Sequence, residues 1–265
     1  MINLAFSPCP NDTFIFDAII HGRIDLEGLS FSSSLHDVET LNGMALRREP
    51  DMVKVSFFTW LLVKDDYVLL DSGSAMGFGT GPLLIGRKEY PLNEIRNLPV
   101  AIPGRNTTAH LLFCLALPGA ANKQFMIFSE IEDAVLTGRA DAGVIIHENR
   151  FTYRQKGLKK IIDLGQHWEK LTGSPVPLGG ILVRKSLGEE MISRLGRIMH
   201  RSVEHALARP GDAMPFVREH AREMDPAVMQ KHIRLYVNNS TLSMGPGGRA
   251  ALEVLERTAR DQKLI

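Results

Sequence analysis

Short apolar runs separated by helix-compatible stretches set the rhythm of most of this chain. Ile2 to Phe6, Leu29 to Ser34 and Met52 to Ser56 each read as a strand. Phe14, Ile15, Ala18 and Ile19 recur at the spacing of a helix's buried side, just after the first of them. Between that strand and helix lies Ser7-Pro-Cys-Pro-Asn-Asp-Thr13, where two prolines fix the backbone and Asp12 or Thr13 is the expected cap. Asp37-Val-Glu-Thr-Leu-Asn42 opens a second helix with Asp37 at its N-cap, and Phe57 to Val63 is a third. Strand and helix alternating in this way predict a parallel sheet with right-handed crossovers.

The pattern restarts after the glycine-rich stretch Gly73 to Gly81 and the apolar strand Pro82 to Ile85. Leu98 to Ile102 is a strand, Pro103-Gly-Arg-Asn-Thr-Thr108 its exit loop, and Ala109 to Leu117 the helix that follows. Gln124 to Phe128 is the next strand, and Ser129-Glu-Ile-Glu132 fits the capping box of a helix ending at Gly138. Ala142 to Ile146 has no helical stripe and reads as a strand buried on both faces, running straight into His147. After the strand Ile181 to Val183 the pattern turns helical, with Met191, Leu195, Ile198, Met199 and Val203 at i, i+3, i+4 spacing up to Pro210. Asp225-Pro226 starts a helix through His232, and Gly245-Pro-Gly-Gly248 precedes a last one through Leu252 and Leu255. Two βα series and a helical tail predict an α/β, two-lobed, periplasmic-binding-protein-like (type 2) fold with the ligand cleft between the lobes. The expected division puts 1–87 and 178–265 in a larger lobe and 88–177 in a smaller one.

Composition narrows the classes of function. The chain of 265 residues is 44% hydrophobic, enough for a substantial core. Lys+Arg 31 against Asp+Glu 30 leaves a net charge of +1, so no global field favours nucleic acid or an anionic membrane. The N-terminus has no export-signal pattern, and no apolar run approaches bilayer length. Cys9 and Cys114 match no metal or redox spacing. These features predict a soluble cytoplasmic protein that acts on a small molecule.

The candidate chemistry sits at strand ends. Ligands of open α/β sheets lie beyond the carboxyl ends of strands. His147 there can serve as base or acid, or can merely close its strand; position alone leaves both open. Thr107, Thr108 and the first-turn N–H groups after them can hold an anionic oxygen, or Thr107 can be an ordinary cap. The glycines before residue 82 precede a strand instead of opening a helix, which rejects the dinucleotide and Walker readings. Cys9 reads as a small packed residue, and Arg194, Arg197 and Arg201 as a solvated basic face. His200, His205 and His220 form no ligand-like group.

Several blocks together resemble one family. Ser7-Pro-Cys-Pro-Asn-Asp-Thr-Phe14, Asp37 to Asn42, Gly104 to Thr108, Ile146-His147-Glu148 with Arg150-Phe-Thr-Tyr153, and Tyr236-Val-Asn238 look like the 1,4-dihydroxy-6-naphthoate synthases. These are the MqnD enzymes of the futalosine route to menaquinone, and the similarity runs over nearly the whole chain in the same order. The resemblance implies a lyase without metal or organic cofactor. It would convert cyclic dehypoxanthinylfutalosine, a substrate carrying a carboxylate, to 1,4-dihydroxy-6-naphthoate with release of dihydroxyacetone. The family's base falls on His147 and its cleft-lining polar positions on Asp37, Asn42, Ser56, Thr107 and Thr108. A homodimer is compatible with it. The competing expectations are a chorismate dehydratase of the same fold, against which the His147-Glu148 block argues, and a binding protein that only sequesters a small anion.

Overall fold

The computed structural model describes residues 1–221 and 225–265. The first third runs β1 (Ile2–Phe6), α1 (Pro10–Ile20), β2 (Phe31–Leu35), α2 (Val38–Leu46), β3 (Met52–Ser56), α3 (Phe57–Val63), β4 (Tyr67–Leu69) and β5 (Ala75–Gly77). Next come β6 (Leu83–Gly86), α4 (Leu92–Ile95), β7 (Val100–Ile102), α5 (Thr108–Ala116), β8 (Lys123–Phe125), α6 (Ile131–Leu136) and β9 (Ala142–Ile145). After α7 (Asn149–Thr152), β10 (Lys159–Asp163) and α8 (Leu164–Thr172), the long β11 (Val176–Arg184) crosses back. The tail is α9 (Glu189–Ala208), α10 (Pro210–His220), α11 (Pro226–Tyr236), α12 (Asn239–Leu242) and α13 (Gly245–Asp261).

Two sheets result, ordered β2-β1-β3-β11-β4 (with β5 on β11) and β10-β6-β9-β7-β8. The parallel rhythm expected throughout holds only for β1 to β3 and for β7 to β9. The strands that carry the chain between the halves run against their neighbours: β11 is antiparallel to β3, β4 and β5, and β6 to β9 and β10. Both sheets are therefore mixed. β6, which the expected division at residue 87 leaves with the first lobe, pairs inside the second sheet.

Apolar packing fixes how the two halves meet. One core cluster joins Phe57 of α3, Leu111 of α5, Trp168 of α8 and Leu252 of α13, so these helices share a single apolar interior between the sheets. On the first sheet's outer side, α1 is enclosed by α9, α10 and α11, and Phe6 stacks on Phe16 at 4.5 Å. Consequently α1 is buried all round, from Pro10 to Ile19, and not only on the face read from its periodicity. Its polar residues must then find partners inside the protein, which is the origin of the site described below.

Two local expectations change, and a third is filled in. Helix α1 starts at Pro10 with Cys9 at its N-cap, and the Asp12 carboxylate is turned inward instead of capping. The box at Ser129 and Glu132 does not form, because a 3₁₀ turn at Phe128–Glu130 precedes α6. Glu132 instead accepts from Asn149 Nδ2 at 2.7 Å and Lys156 Nζ at 2.6 Å, pinning the segment after His147. Arg194, Arg197 and Arg201 keep solvent access as expected, but the face is also ion-paired: Arg197 and Arg201 bind Glu27 at 2.7 and 2.8 Å, with Arg194 at 3.7 Å. Their hydrogen bonds hold the Glu27 carboxyl down at about 2.

Candidate active site

A cavity opens where the carboxyl ends of β1, β3, β7 and β9 face one another across the two sheets. From the first sheet come Ser7, Asn11 and Asp12, then Lys54, Val55 and Ser56; from the second come Thr107, Thr108 and Ala109, then Ile146 and His147. Thr80, Leu178 and Gly179 of the crossing segments and Tyr236 of α11 also line it, with Val38, Leu41, Ala75 and Pro82. Helices α1 and α5 both begin here; α1 opens on a proline and its Asp12 and Thr13 N–H groups bond Cys9 O, so the N–H groups left for a ligand are chiefly those of Thr108 and Ala109 at the start of α5.

Of the polar residues expected in the site, His147, Ser56, Thr107 and Thr108 line the cavity. Asp37 and Asn42 do not. Asp37 caps α2, accepting from Glu39 N at 3.0 Å and Thr40 N at 3.2 Å. Asn42 is fully buried and holds Ser56 in place, accepting from its N–H at 3.0 Å and donating to its Oγ at 3.2 Å. Thr107 accepts from His110 N and donates to Gly104 O at 3.0 Å, while Thr108 donates to Leu178 O at 2.9 Å and accepts from Phe58 N. Both threonine hydroxyls are thus engaged. What this corner offers a ligand is the backbone N–H of the first turn of α5, together with the Ser56 hydroxyl proton.

His147 follows the last residues of the β9 segment with φ 56°, in the left-handed region that costs a non-glycine residue on the order of 1–3 kcal/mol. That turn swings the ring off the strand axis and into the cavity wall. Its imidazole packs edge-on to Phe128 at 5.0 Å and nearly parallel to His232 at 6.0 Å, with planes 16° apart. Arg150 donates to Gly79 O at 2.7 Å and hydrogen-bonds Tyr236. Burial pushes the Tyr236 phenol up, with Arg150 pulling the other way, so at neutral pH it is a hydrogen-bond donor. Burial, and after it the charge His147 can carry, pushes the His232 imidazole well below its ordinary value, so that ring is neutral.

The floor carries a pair that the sequence reading passed over. Lys54 Nζ lies 3.3 Å from Asp12 Oδ1 and donates to Gly73 O at 2.7 Å, with both side chains buried. Ser7 Oγ at 2.7 Å and Asn11 Nδ2 at 2.8 Å complete the carboxylate's donors. A lysine between two valines in an apolar strand was the available signal, since a buried ammonium needs a buried acceptor. His232 was legible as well: it shares the inner face of α11 with Met229, Ile233 and Tyr236. Among the described residues no three His, Cys, Asp or Glu side chains group as a metal site would require.

Among the hydrogen bonds that tie the halves together, one set gathers on a single carboxylate. Glu39 of α2 accepts from Arg105 N at 3.0 Å, Asn106 N at 3.2 Å and Asn106 Nδ2 at 3.0 Å. Gly104 allows this approach: its φ is +122°, and a Cβ there would sit 2.4 Å from Glu39 Oε2. Burial raises the Glu39 carboxyl above its ordinary value, opposed by the hydrogen bonds from Asn42, Asn106 and Arg105. A raised carboxyl contributes stability that is fully present below the unfolded value and is lost as pH rises through the folded one. Glu39→Gln cannot titrate. The parent's advantage over this variant in urea-unfolding midpoint should therefore be greater at about pH 4 than at about pH 7. A difference that does not change with pH would contradict this account.

Comparison with known proteins bears on what this cavity serves. A family model described as menaquinone biosynthesis matches residues 2–261. The chain is 44% identical to the 1,4-dihydroxy-6-naphthoate synthase of Streptomyces coelicolor over 269 residues, covering 100% of this chain and 94% of that one. It is also 44% identical to the Thermus thermophilus enzyme of the same name, over 95% and 91% of the two chains. The chain belongs to the 1,4-dihydroxy-6-naphthoate synthase family of menaquinone biosynthesis. A crystal structure of the Archaeoglobus fulgidus protein AF1704 matches this family member with TM-score 0.94 at 33% identity, covering 100% and 98% of the chains. The alkanesulfonate-binding protein SsuA of Xanthomonas axonopodis matches with TM-score 0.75 at 10% identity, over 99% and 93%. That likeness concerns the fold alone, and it is the two-lobed binding-protein fold expected from the element pattern. No helix among the described residues is long and apolar enough to cross a membrane.

Proposed function

We propose that this chain is a cytoplasmic lyase that converts cyclic dehypoxanthinylfutalosine to 1,4-dihydroxy-6-naphthoate and dihydroxyacetone, with His147 as the general base. The observation that carries the reading is the His147 ring set in the cavity wall across from the start of α5, in a chain so similar to two synthases. Cleavage of the spirocyclic substrate makes a ring aromatic, so the equilibrium favours product without further help. The protein has to remove one proton and stabilise the oxyanion that develops. Neutral His147 takes the proton. The first-turn N–H groups of α5 and the Ser56 hydroxyl meet negative charge, whether the carboxylate the substrate carries or the enolate it becomes. The lobes, built on the two sheets, close over the substrate, exclude water and align the reacting atoms. Purified protein incubated with the cyclic futalosine derivative should release fluorescent naphthoate. Substrate recovered unchanged would end the assignment, and loss of chorismate in a parallel assay would move it to the dehydratase.

A further inference from the structure

The surroundings of His232 determine where its hydrogen lies. Its Nε2 is 2.8 Å from Asn11 Oδ1. Asn11 cannot turn its amide round, because its Nδ2 donates to Asp12 Oδ1 at 2.8 Å, and a carboxylate accepts only. With the carboxamide oxygen fixed toward the imidazole, Nε2 must carry the hydrogen, and the neutral ring presents a bare Nδ1. That nitrogen faces Glu148 Oε2 at 3.7 Å. Neither atom has another hydrogen-bond partner among the described residues, and both side chains are buried. Two buried acceptors facing each other are costly unless a proton lies between them.

We propose that His232 and Glu148 hold a single proton between Nδ1 and the carboxyl group, and that this charge-neutral pair is the positioning platform on which the base His147 rests. The proposal rests on the reading of His147 given above and adds a role for two residues that do not line the cavity. His147 lies nearly flat on His232, and Glu148 is its neighbour in the chain. A charged His232 would oppose the imidazolium that His147 becomes on taking the substrate's proton, strongly so away from water. The charged groups beyond the pair are themselves paired, Arg150 with Asp163 at 3.7 Å. Asp12 and Lys54 compensate each other on the α1 side, where Cys9 also lies. Tyr236, 4.7 Å from the His232 ring, is bonded to Arg150.

Two-bond ¹H–¹⁵N correlation spectra of the wild-type chain test the proton's position without any need for activity. His232 should appear as the neutral Nε2–H tautomer from about pH 5.5 to 9, with Nδ1 shifted as a hydrogen-bond acceptor. A Nδ1–H tautomer, or titration of that ring within the range, overturns the proposal. Kinetics test the platform. His232→Phe keeps a ring but loses both nitrogens, and should lower kcat about tenfold while KM stays within about threefold, since the substrate is not touched. Glu148→Ala should behave alike, and Glu148→Gln, whose amide can donate to Nδ1 as the shared proton does, should recover most of the loss. Glutamine as damaging as alanine, in chains with unaltered circular dichroism, would refute the pair. Wild-type protein that makes no naphthoate ends the functional reading instead, and the spectra still decide the proton.

Discussion

Alanine in place of His147 is expected to lower kcat by about 10²–10⁴, the contribution of a positioned general base, in a chain that still folds. The ring is at the cavity wall, and the groups behind it (Phe128 and His232) support it without needing it for the core. The backbone supplies a control seldom available at an active site. With φ at 56°, His147 occupies a conformation that glycine adopts freely. His147→Gly relieves the local strain, so it should melt no lower than His147→Ala while being equally inactive. Loss of turnover in both, with melting temperatures in that order, separates a missing base from a damaged fold. Added imidazole should restore part of the rate in the glycine variant, where the vacated space is largest. Full turnover in either variant would remove His147 from the chemistry.

Element pattern alone carried a good part of this structure. β1, β3 and α3 run over the residues expected from their apolar runs, and the cap at Asp37 is formed. The reason is local: a five-residue apolar run with no helical stripe can bury itself only as a strand between neighbours. The direction of β6 and β11 was not legible, because pairing between residues such as Gly180 and Val55 is decided by the whole sheet and not by either segment. In the site, His147, read from a strand end, and Thr107 and Thr108, read from a helix start, reached the cavity, as did Ser56, which the resemblance placed there. Asp37 and Asn42 were placed there by resemblance and instead support the loops that form the wall. Besides Lys54 of β3 and His232 of α11, what was missed came from α1, whose periodicity shows one apolar face although the tail helices enclose all of it. Asn11 and Asp12 therefore look solvent-facing in sequence and are buried in fact.

Removing the ammonium of Lys54 should be the most destabilising single change in the cavity floor. Lys54→Met keeps the length and apolar body of the side chain inside β3, so packing beside Val53 and Val55 is largely preserved. The Asp12 carboxylate is left buried with Ser7 and Asn11 as its side-chain donors among the described residues. Breaking one side of a buried pair costs roughly 3–5 kcal/mol. In a chain of this size each kcal/mol lowers the melting temperature by about 2–4 °C, so a fall of roughly 6–20 °C is expected in a thermal melt. Asp12→Asn in the same chain removes the stranded charge, and the double variant should be clearly more stable than the sum of the two single losses implies. Catalysis should not recover with it. An asparagine at position 12 can donate as well as accept, so Asn11 is no longer held with its oxygen toward His232, and the platform under His147 loses its fixed tautomer. A double variant as unstable as the two single losses added together would mean that these charges are not coupled, and the floor would then owe its order to Ser7 and Asn11 instead.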